Sequence, residues 1–573
     1  MYFSKLLSAV ALCSSASALY VPGDADVNVQ NKDQTPTALP EEPLNGTAYR
    51  PIMHATPSQG WMNDPNGLWY DTKEEVYHVY YQYNPADTVW GVPLYWGHLT
   101  SKDLQSWEDH GVAIRPPRND SGAFSGSAVV DTNNTSGFFN DSIDPAQRVV
   151  AIWTYNTPES ETQWISYSLD GGYTFIDYAN NPVLDLNSTQ FRDPKVIWHE
   201  ESQKWIMTVV LSHKYAIQIY SSDNLREWTL ESEFKNHGLL GFQYECPGLA
   251  KIPVSKPPNC EMQLKDVSYP VKNNNTDYVW VMFLAINPGG PQGGNFNQYF
   301  IGDFDGKKFT PFSEQTRFLD HGKDFYAFQG FYNSQFKDSF LGIAWASNWQ
   351  YSAYVPTNPW RSSMSLARKL TVRPYNPTPE SVQLVLNSEP VFVPEDMEFN
   401  SNFSSWKDLK LTSGKEEVFE FGSTPLGAFE FNLTFTANDT GLSKHSLGDF
   451  SIYLEGAKDP DEYLRLGYST QAADFFFDRG NSKVSFVREN PFFTNKMAIN
   501  MEPWEILAPG VKVFKVRAIF DVDILELFFN EGTAASTNTY FLTEENHPAS
   551  LKFKTSVDNV FTVNELSLRQ LTF

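Results

Sequence analysis

Apolar residues in this chain fall in short runs, not on the face of a helix. Between residues 49 and about 373, "HVYYQYN", "AVVD", "RVVAIWTYN", "WIMTVVLS", "IQIYSS" and "YVWVMFLAIN" are β-branched and aromatic clusters bounded by Asp, Asn, Gly and Pro. Such runs predict strands separated by turns, and a 3.6-residue period is almost absent, so this portion reads as all-β. One local pattern recurs in "TSKDLQSWEDHG" (100–111), "YSLDGGYTFIDY" (167–178), "SSDNLREWTLES" (221–232) and, more weakly, "GDFDGKKFTPF" (302–312). Each sets an Asp four or five residues before an aromatic, between two strand runs, and so predicts the same hairpin in successive copies of one unit. Irregular repeats of roughly 50–80 residues with about four strands each are the pattern of a β-propeller with loop insertions.

After "RKLTVRP" (368–374) the stretch 376–390 reads as a linker, and residues 391–573 change character. In "EVFEFGS", "AFEFNLTFTAN", "DFSIYLEG", "EYLRLGYS" and "FKVRAIFDVDILELFFNEG" every second residue is apolar. That alternation describes sheets with one buried face, and predicts a β-sandwich as second domain. Residues 19–48 are acidic, rich in Pro and without periodicity, as expected of an unstructured leader. Ahead of them, a charged start ending at Lys5, the apolar run Leu6–Cys13 and the small-residue stretch closing at Ala18 form a secretory signal, residues 1–18. No later run reaches the roughly 18 consecutive apolar residues of a membrane-spanning helix.

Composition narrows the partners. With 43 Lys and Arg against 68 Asp and Glu, the net charge of −25 argues against nucleic acid and anionic membranes. Aromatics make up 15% of the chain, which suits both an all-β core and the stacking of neutral sugar rings. Sequons at Asn45, Asn119, Asn133, Asn134, Asn140, Asn187, Asn274, Asn402, Asn432 and Asn438 fit a secreted, heavily glycosylated protein of the extracellular, cell-wall or periplasmic space. Once Cys13 leaves with the signal, Cys246 and Cys260 could be bridged or free, and the fold rests on its core.

Candidate chemistry lies at the starts of the predicted units. Asp64 stands in "GWMNDPNGLWY" (60–70), Asp193 in "FRDPKVIWHE" (191–200) and Glu245 in "YECPGLAKIP" (244–253), with "GAFSGSAVVD" (122–131) opening the second unit. The first strand of a propeller blade lines the central channel, so three carboxylates would meet at one mouth. Three carboxylates can hold Ca²⁺, but no His is adjacent and no D-x-D loop clusters ligands. Glycoside cleavage, with one carboxylate as nucleophile and another as acid, fits better, so no metal and no cofactor are expected.

At these motifs the chain resembles glycoside hydrolase family 32, whose boxes read Trp-Met-Asn-Asp-Pro-Asn-Gly, Arg-Asp-Pro and Glu-Cys in this order. The likeness extends through "DSGAFSGS", "NTSGFFND", "WTYNTPESE", "ISYSLDGGYTF", "NSTQFRDPKV", "LGIAWASNW", "VPTNPWRSSMSL" and "FFFDRGNSKV". It runs from about residue 49 to the C-terminus, leaving out the leader and an insert at 255–277. The resemblance implies a five-bladed propeller over 49–375 joined to a sandwich. It also implies retaining hydrolysis of terminal β-fructofuranosides such as sucrose, with Asp64 as nucleophile, Glu245 as acid/base and Asp193 as transition-state stabiliser. Trp61, Met62, Asn63, Gln82, Trp90, Phe124, Ser125, Arg192, Asp324 and Trp345 match sugar-contacting positions, and Asn63 and Arg192 are expected to donate to the nucleophile. Strand alternation places Cys246 on the face opposite Glu245, as a packing residue. The resemblance also implies a homodimer or larger assembly. Within the class, an exo-inulinase, a levanase or a fructosyltransferase would use the same triad. Outside it stands an inactive sugar-binding propeller, against which the presence of all three carboxylates speaks.

Overall fold

The computed structural model describes residues 46–255, 266–268, 277–378, 380–391, 403–420, 427–442 and 448–570. The signal, nearly all of the leader, Cys260, and the sequons at Asn45, Asn274 and Asn402 lie outside these residues. Five antiparallel sheets come first. Blade 1 is built from Gly60–Asp71, Val76–Asn84, Tyr95–Ser101 and Glu108–Ile114, and blade 2 from Gly122–Val130, Val149–Asn156, Glu161–Tyr167 and Ile176–Asp177. Blade 3 holds Phe191–His199, Lys204–Leu211, Ala216–Ser222 and Thr229–Lys235. Blade 4 holds Tyr244–Pro253, Tyr278–Ile286, Phe296–Phe304 and Phe309–Pro311, and blade 5 Tyr326–Gly330, Phe340–Trp345, Arg368–Thr378 and Ser381–Pro390. The first four blades begin where the sequence placed them.

The recurring hairpin is the turn between the third and fourth strands of blades 1 to 4. In each, one side-chain oxygen caps two backbone amides: Asp103 takes Gln105 N and Ser106 N, and Asp170 takes Tyr173 N and Thr174 N. Asn224 takes Arg226 N and Glu227 N, and Asp305 takes Lys307 N and Lys308 N. In blade 3 the cap is Asn224 and not the Asp before it. These are turns in which an Asx side chain stands in for a backbone carbonyl.

A parallel pairing of Trp360–Arg361 with Gly60–Trp61 closes the ring, joined by Tyr332, whose backbone bonds Leu68 and Tyr70. The stretch 376–390 is not a linker. Arg368–Thr378 and Ser381–Pro390 pair along their length as the outer hairpin of blade 5, and past Val372 the first of these strands has no second strand partner among the described residues, so it tolerates Pro374 and Pro377.

The second domain stacks two sheets. One runs Phe403–Lys410, Phe561–Gln570, Ala428–Asn438, Val511–Asp521, Ile524–Phe529, Ala534–Thr539, with Glu505–Ala508 beside Val511–Asp521. The other runs Glu417–Glu420, Pro548–Thr555, Asp449–Gly456, Tyr463–Ser469, Asp474–Asn481, Lys496–Asn500. Inward-facing Phe431, Phe435, Phe450, Phe477, Phe514 and Phe553 fill the space between them, as the alternation required. Residues expected to open the propeller instead lie on this sandwich: Ile52, Met53 and His54 donate their amides to Asp521, and the Tyr49 hydroxyl bonds Leu542 O.

Candidate active site

Each of the five innermost strands carries an irregularity at the same level. Pairing skips Asp64 between Asn63 and Pro65 in blade 1 and Ser125 between Phe124 and Gly126 in blade 2. Asp193 and Pro194 oppose one residue in blade 3, as do Cys246 and Pro247 in blade 4 and Ala327 and Phe328 in blade 5. A bulge bends its strand and re-aims a side chain, so Asp64, Ser125, Asp193, Cys246 and Ala327 occupy equivalent places around the channel. Asp193, Cys246 and Ala327 have φ of 65°, 45° and 52°, a left-handed conformation unusual for residues with a Cβ and met most often at functional sites. Proline follows Asp64, Asp193 and Cys246, and its missing N–H costs nothing where the ladder is already interrupted.

This geometry corrects the reading of Cys246. The bulge breaks the two-residue alternation, and the thiol lies 3.6 Å from Asp64 Oδ2 and 3.7 Å from Asp193 Oδ2, on the same side as Glu245. Its own backbone N–H donates to Asp193 Oδ2 at 2.9 Å. Burial and the three carboxylates push the thiol well above its usual range, so it stays a neutral donor among anions.

Asp64 accepts from Ser125 Oγ at 3.0 Å. Trp61 Nε1 donates to Asn63 Oδ1 at 2.7 Å, which leaves the Asn63 amide NH2 for Asp64. Burial raises Asp64 to about 6; the Glu245 charge adds to this, while Asn63 and Ser125 oppose it. Asp193 is raised to about 7 by burial, against the pull of Arg192 and with Glu245 adding to the rise. Glu245 is the best-held of the three. Arg192 Nη2 and Gln243 Nε2 each donate to Oε1 at 3.0 Å, and the Tyr326 hydroxyl donates to Oε2. Arg192 also meets Glu161 at 3.3 Å and Gln190 and Gln243 at 3.0 Å. It therefore serves Glu245, not the nucleophile as expected, because its fork is filled by acceptors of blades 2, 3 and 4.

The other expected sugar contacts divide. Asn63 and Ser125 touch Asp64, and the partly exposed rings of Trp90 and Phe124 meet edge to face at 6.2 Å. Gln82 is buried and holds Ala123 O at the seam of blades 1 and 2. Trp61 and Trp345 pack with the partly buried Trp349 at 5.0–6.0 Å between rings. Met62, on the inner strand of blade 1, and Trp345, at the end of the second strand of blade 5, are buried in one apolar cluster and have no exposed surface. Asp324 is not in the channel at all. Its buried carboxylate takes Arg479 Nη1 at 2.7 Å and Thr539 N at 2.8 Å, at the seam with the sandwich. Sequence reading missed Gln243, Tyr326 and Glu161. The x-Pro step repeated after Asp64, Asp193 and Cys246 was the available signal for the bulges.

A five-bladed propeller whose channel mouth gathers three carboxylates, two of them partly exposed, defines a glycosidase working with paired acids. The comparisons make the class specific. The chain belongs to glycosyl hydrolases family 32: that family's N-terminal domain matches residues 54–386 and its C-terminal domain residues 400–569. Invertase 2 of Saccharomyces cerevisiae is 54% identical over 533 residues, covering 92% of this chain and 96% of that one. An extracellular exo-inulinase of Meyerozyma guilliermondii is 47% identical over 92% of this chain and 97% of its own. The structure of β-fructofuranosidase from Schwanniomyces occidentalis complexed with fructosyl-erythritol superposes with a TM-score of 0.84 at 46% identity, over 92% of this chain and 99% of that one.

Proposed function

We propose that the protein is a secreted β-fructofuranosidase that hydrolyses sucrose with retention, with Asp64 as nucleophile and Glu245 as acid/base. The observation that carries this reading is the different setting of two partly exposed carboxylates at one mouth. Asp64 has a side left for attack. Glu245 is clamped by Arg192, Gln243 and Tyr326. In the first step an Asp64 oxygen bonds to the fructosyl C2 as the C2–O bond to glucose breaks, and Glu245 gives its proton to the departing oxygen. In the second, Glu245 takes a proton from water, the hydroxide attacks C2, and the ester to Asp64 breaks. Asp193 accepts from sugar hydroxyls, bonds that strengthen as the ring gains positive charge.

The test pairs substrates. On sucrose, Asp64→Asn and Glu245→Gln should each lose at least about a thousandfold. On fructosyl fluoride, whose leaving group needs no proton, the first step, read as the initial burst of fluoride, should recover strongly relative to wild type in Glu245→Gln and not in Asp64→Asn. The opposite pattern reverses the two roles. Hydrolysis of inulin is the second reading, favoured by the exo-inulinase relative, and chromatography of products from sucrose, raffinose and inulin separates the two. The same reading takes residues 1–18 as a removable signal and the exposed Asn119, Asn133, Asn140, Asn187 and Asn432 as glycan sites. Asn134 is a poorer acceptor, because its amide already bonds Phe139 O at 2.7 Å. A homodimer is part of the proposal, consistent with Ile506 and Leu507 lying more than half exposed on Glu505–Ala508.

A further inference from the structure

We infer that the sandwich domain positions the acid/base of the propeller: Arg479, through Asp324, holds Tyr326 on Glu245. This rests on the role proposed above for Glu245. The segment leading into the inner strand of blade 5 is bound by the sandwich more than by its own ring. Thr537 N donates to Asp320 Oδ1 at 2.8 Å, His321 N to Ala535 O at 2.8 Å, and Asp324 N to Thr537 O at 3.1 Å. Gly322 is pressed so close that a Cβ there would stand 2.1 Å from Thr537 O, which leaves that segment no room to shift toward the strand.

The last link is ionic. Asp324 Oδ2 receives Arg479 Nη1 at 2.7 Å, Thr539 N at 2.8 Å and Thr539 Oγ1 at 3.1 Å, while the Tyr351 hydroxyl donates to Oδ1. Arg479 is itself fixed by Thr539 O at 2.6 Å and Thr494 O at 2.9 Å, and both side chains of the pair are wholly buried. A buried pair of this kind is costly to disturb, because each charge would be left without compensation. Two residues after Asp324 comes Tyr326, and after it Ala327 at a φ of 52°, so little slack separates the clamp from the phenol.

Glu245 has two differently held oxygens. Oε1 is fixed by Arg192 and Gln243, from blade 3 and the approach to blade 4, and Oε2 by Tyr326 of blade 5. A small displacement of Asp324 therefore rotates the carboxyl without unseating it. The charged and titratable groups facing Glu245 are Arg192, Asp64, Asp193, Cys246, Tyr326 and, across Arg192, Glu161. Only Tyr326 among them is tied to the sandwich through its own strand. Arg479 is thus a positioning residue, and its loss should appear where leaving-group protonation limits the rate.

The test is a double-mutant cycle on the full-length protein. Arg479→Lys keeps the charge and shortens the reach, and it should lower kcat on sucrose roughly tenfold with KM little changed. The same variant should release the first equivalent of fluoride from fructosyl fluoride within about twofold of the wild-type rate, since that step needs no acid. In a Tyr326→Phe background, Arg479→Lys should add less than about twofold, because the path it acts through is already cut. If Arg479→Lys does not fold, Thr539→Val removes only the 3.1 Å bond and should give a smaller change of the same pattern. Equal losses on both substrates, or factors that multiply in the double variant, overturn the inference. If Glu245→Gln itself shows no difference between the substrates, it is the role of Glu245 that fails.

Discussion

Asp193 shows how the site trades stability for chemistry. Its carboxyl is raised from 3.8 to about 7, mainly by burial, so the fold favours its protonated form. Stability from such a group is complete below the unfolded value and is lost as pH rises through about 7. Asp193→Asn keeps the shape without the charge, so it should melt a few degrees above wild type at pH 8, with the gap closing below about pH 4. Activity should be lost throughout. Calorimetry across this range checks the sign, and a variant less stable at pH 8 than wild type contradicts it. At this scale the sequence identified the three carboxylates, because their boxes are local and distinctive. Tyr326 and Gln243 escaped it, since a Tyr or Gln beside a strand carries no mark until the fold brings it to Glu245. Asp324 was misplaced for the opposite reason: likeness to a known pattern says nothing about which way a buried side chain faces.

Elements were read well where period and punctuation agreed. The turn capped by Asp170 is the clearest case, recognised from its spacing and found as a hydrogen-bonded cap. Its carboxylate also takes Ser168 Oγ at 2.7 Å and Thr174 Oγ1 at 2.6 Å, and these bonds hold it below the usual range despite partial burial. Asp170→Ala should cost about 1–2 kcal/mol, seen as an earlier urea midpoint, while kcat on sucrose stays unchanged. A fall in kcat would mean that blade 2 is less independent of the channel than its turn suggests. The last hairpin of blade 5 was misread as a linker because prolines at 374, 377 and 379 outweighed the apolar run in "SVQLVLNSEP". The bulges were invisible to a two-residue period, which assumes that no residue is skipped.

Across the whole molecule, the two domains meet over a buried ionic network that composition could not announce. His54 bonds Asp521 at 2.7 Å and Glu526 at 3.3 Å, and Glu526 and Asp320 share Arg368 at 2.8 and 2.9 Å. Burial alone would lower His54, but the two carboxylates prevail and raise it to about 9. That contribution is complete below pH 6.5 and disappears as pH rises through about 9, so the seam should weaken on the alkaline side. His54→Ala leaves two carboxylates short of a partner and should cost roughly 3–5 kcal/mol, with less further loss between pH 7 and 10 than in wild type. Thermal unfolding at several pH values tests this, and parallel alkaline profiles for the two proteins count against it.

The grip of Asp521 on residues 52–54 also sets an order in time. His54 and its carboxylate partner are 467 residues apart in the chain. At the roughly 5–20 residues per second of synthesis, the earliest part of the folded body waits on the order of a minute for the strand that will receive it. Trp360–Arg361, which closes the ring against Gly60–Trp61, also arrives late. A ribosome-bound fragment ending before residue 360 should therefore have its first four blades but an incomplete fifth and an open ring, and the mouth that gathers the carboxylates takes its final form only later in synthesis.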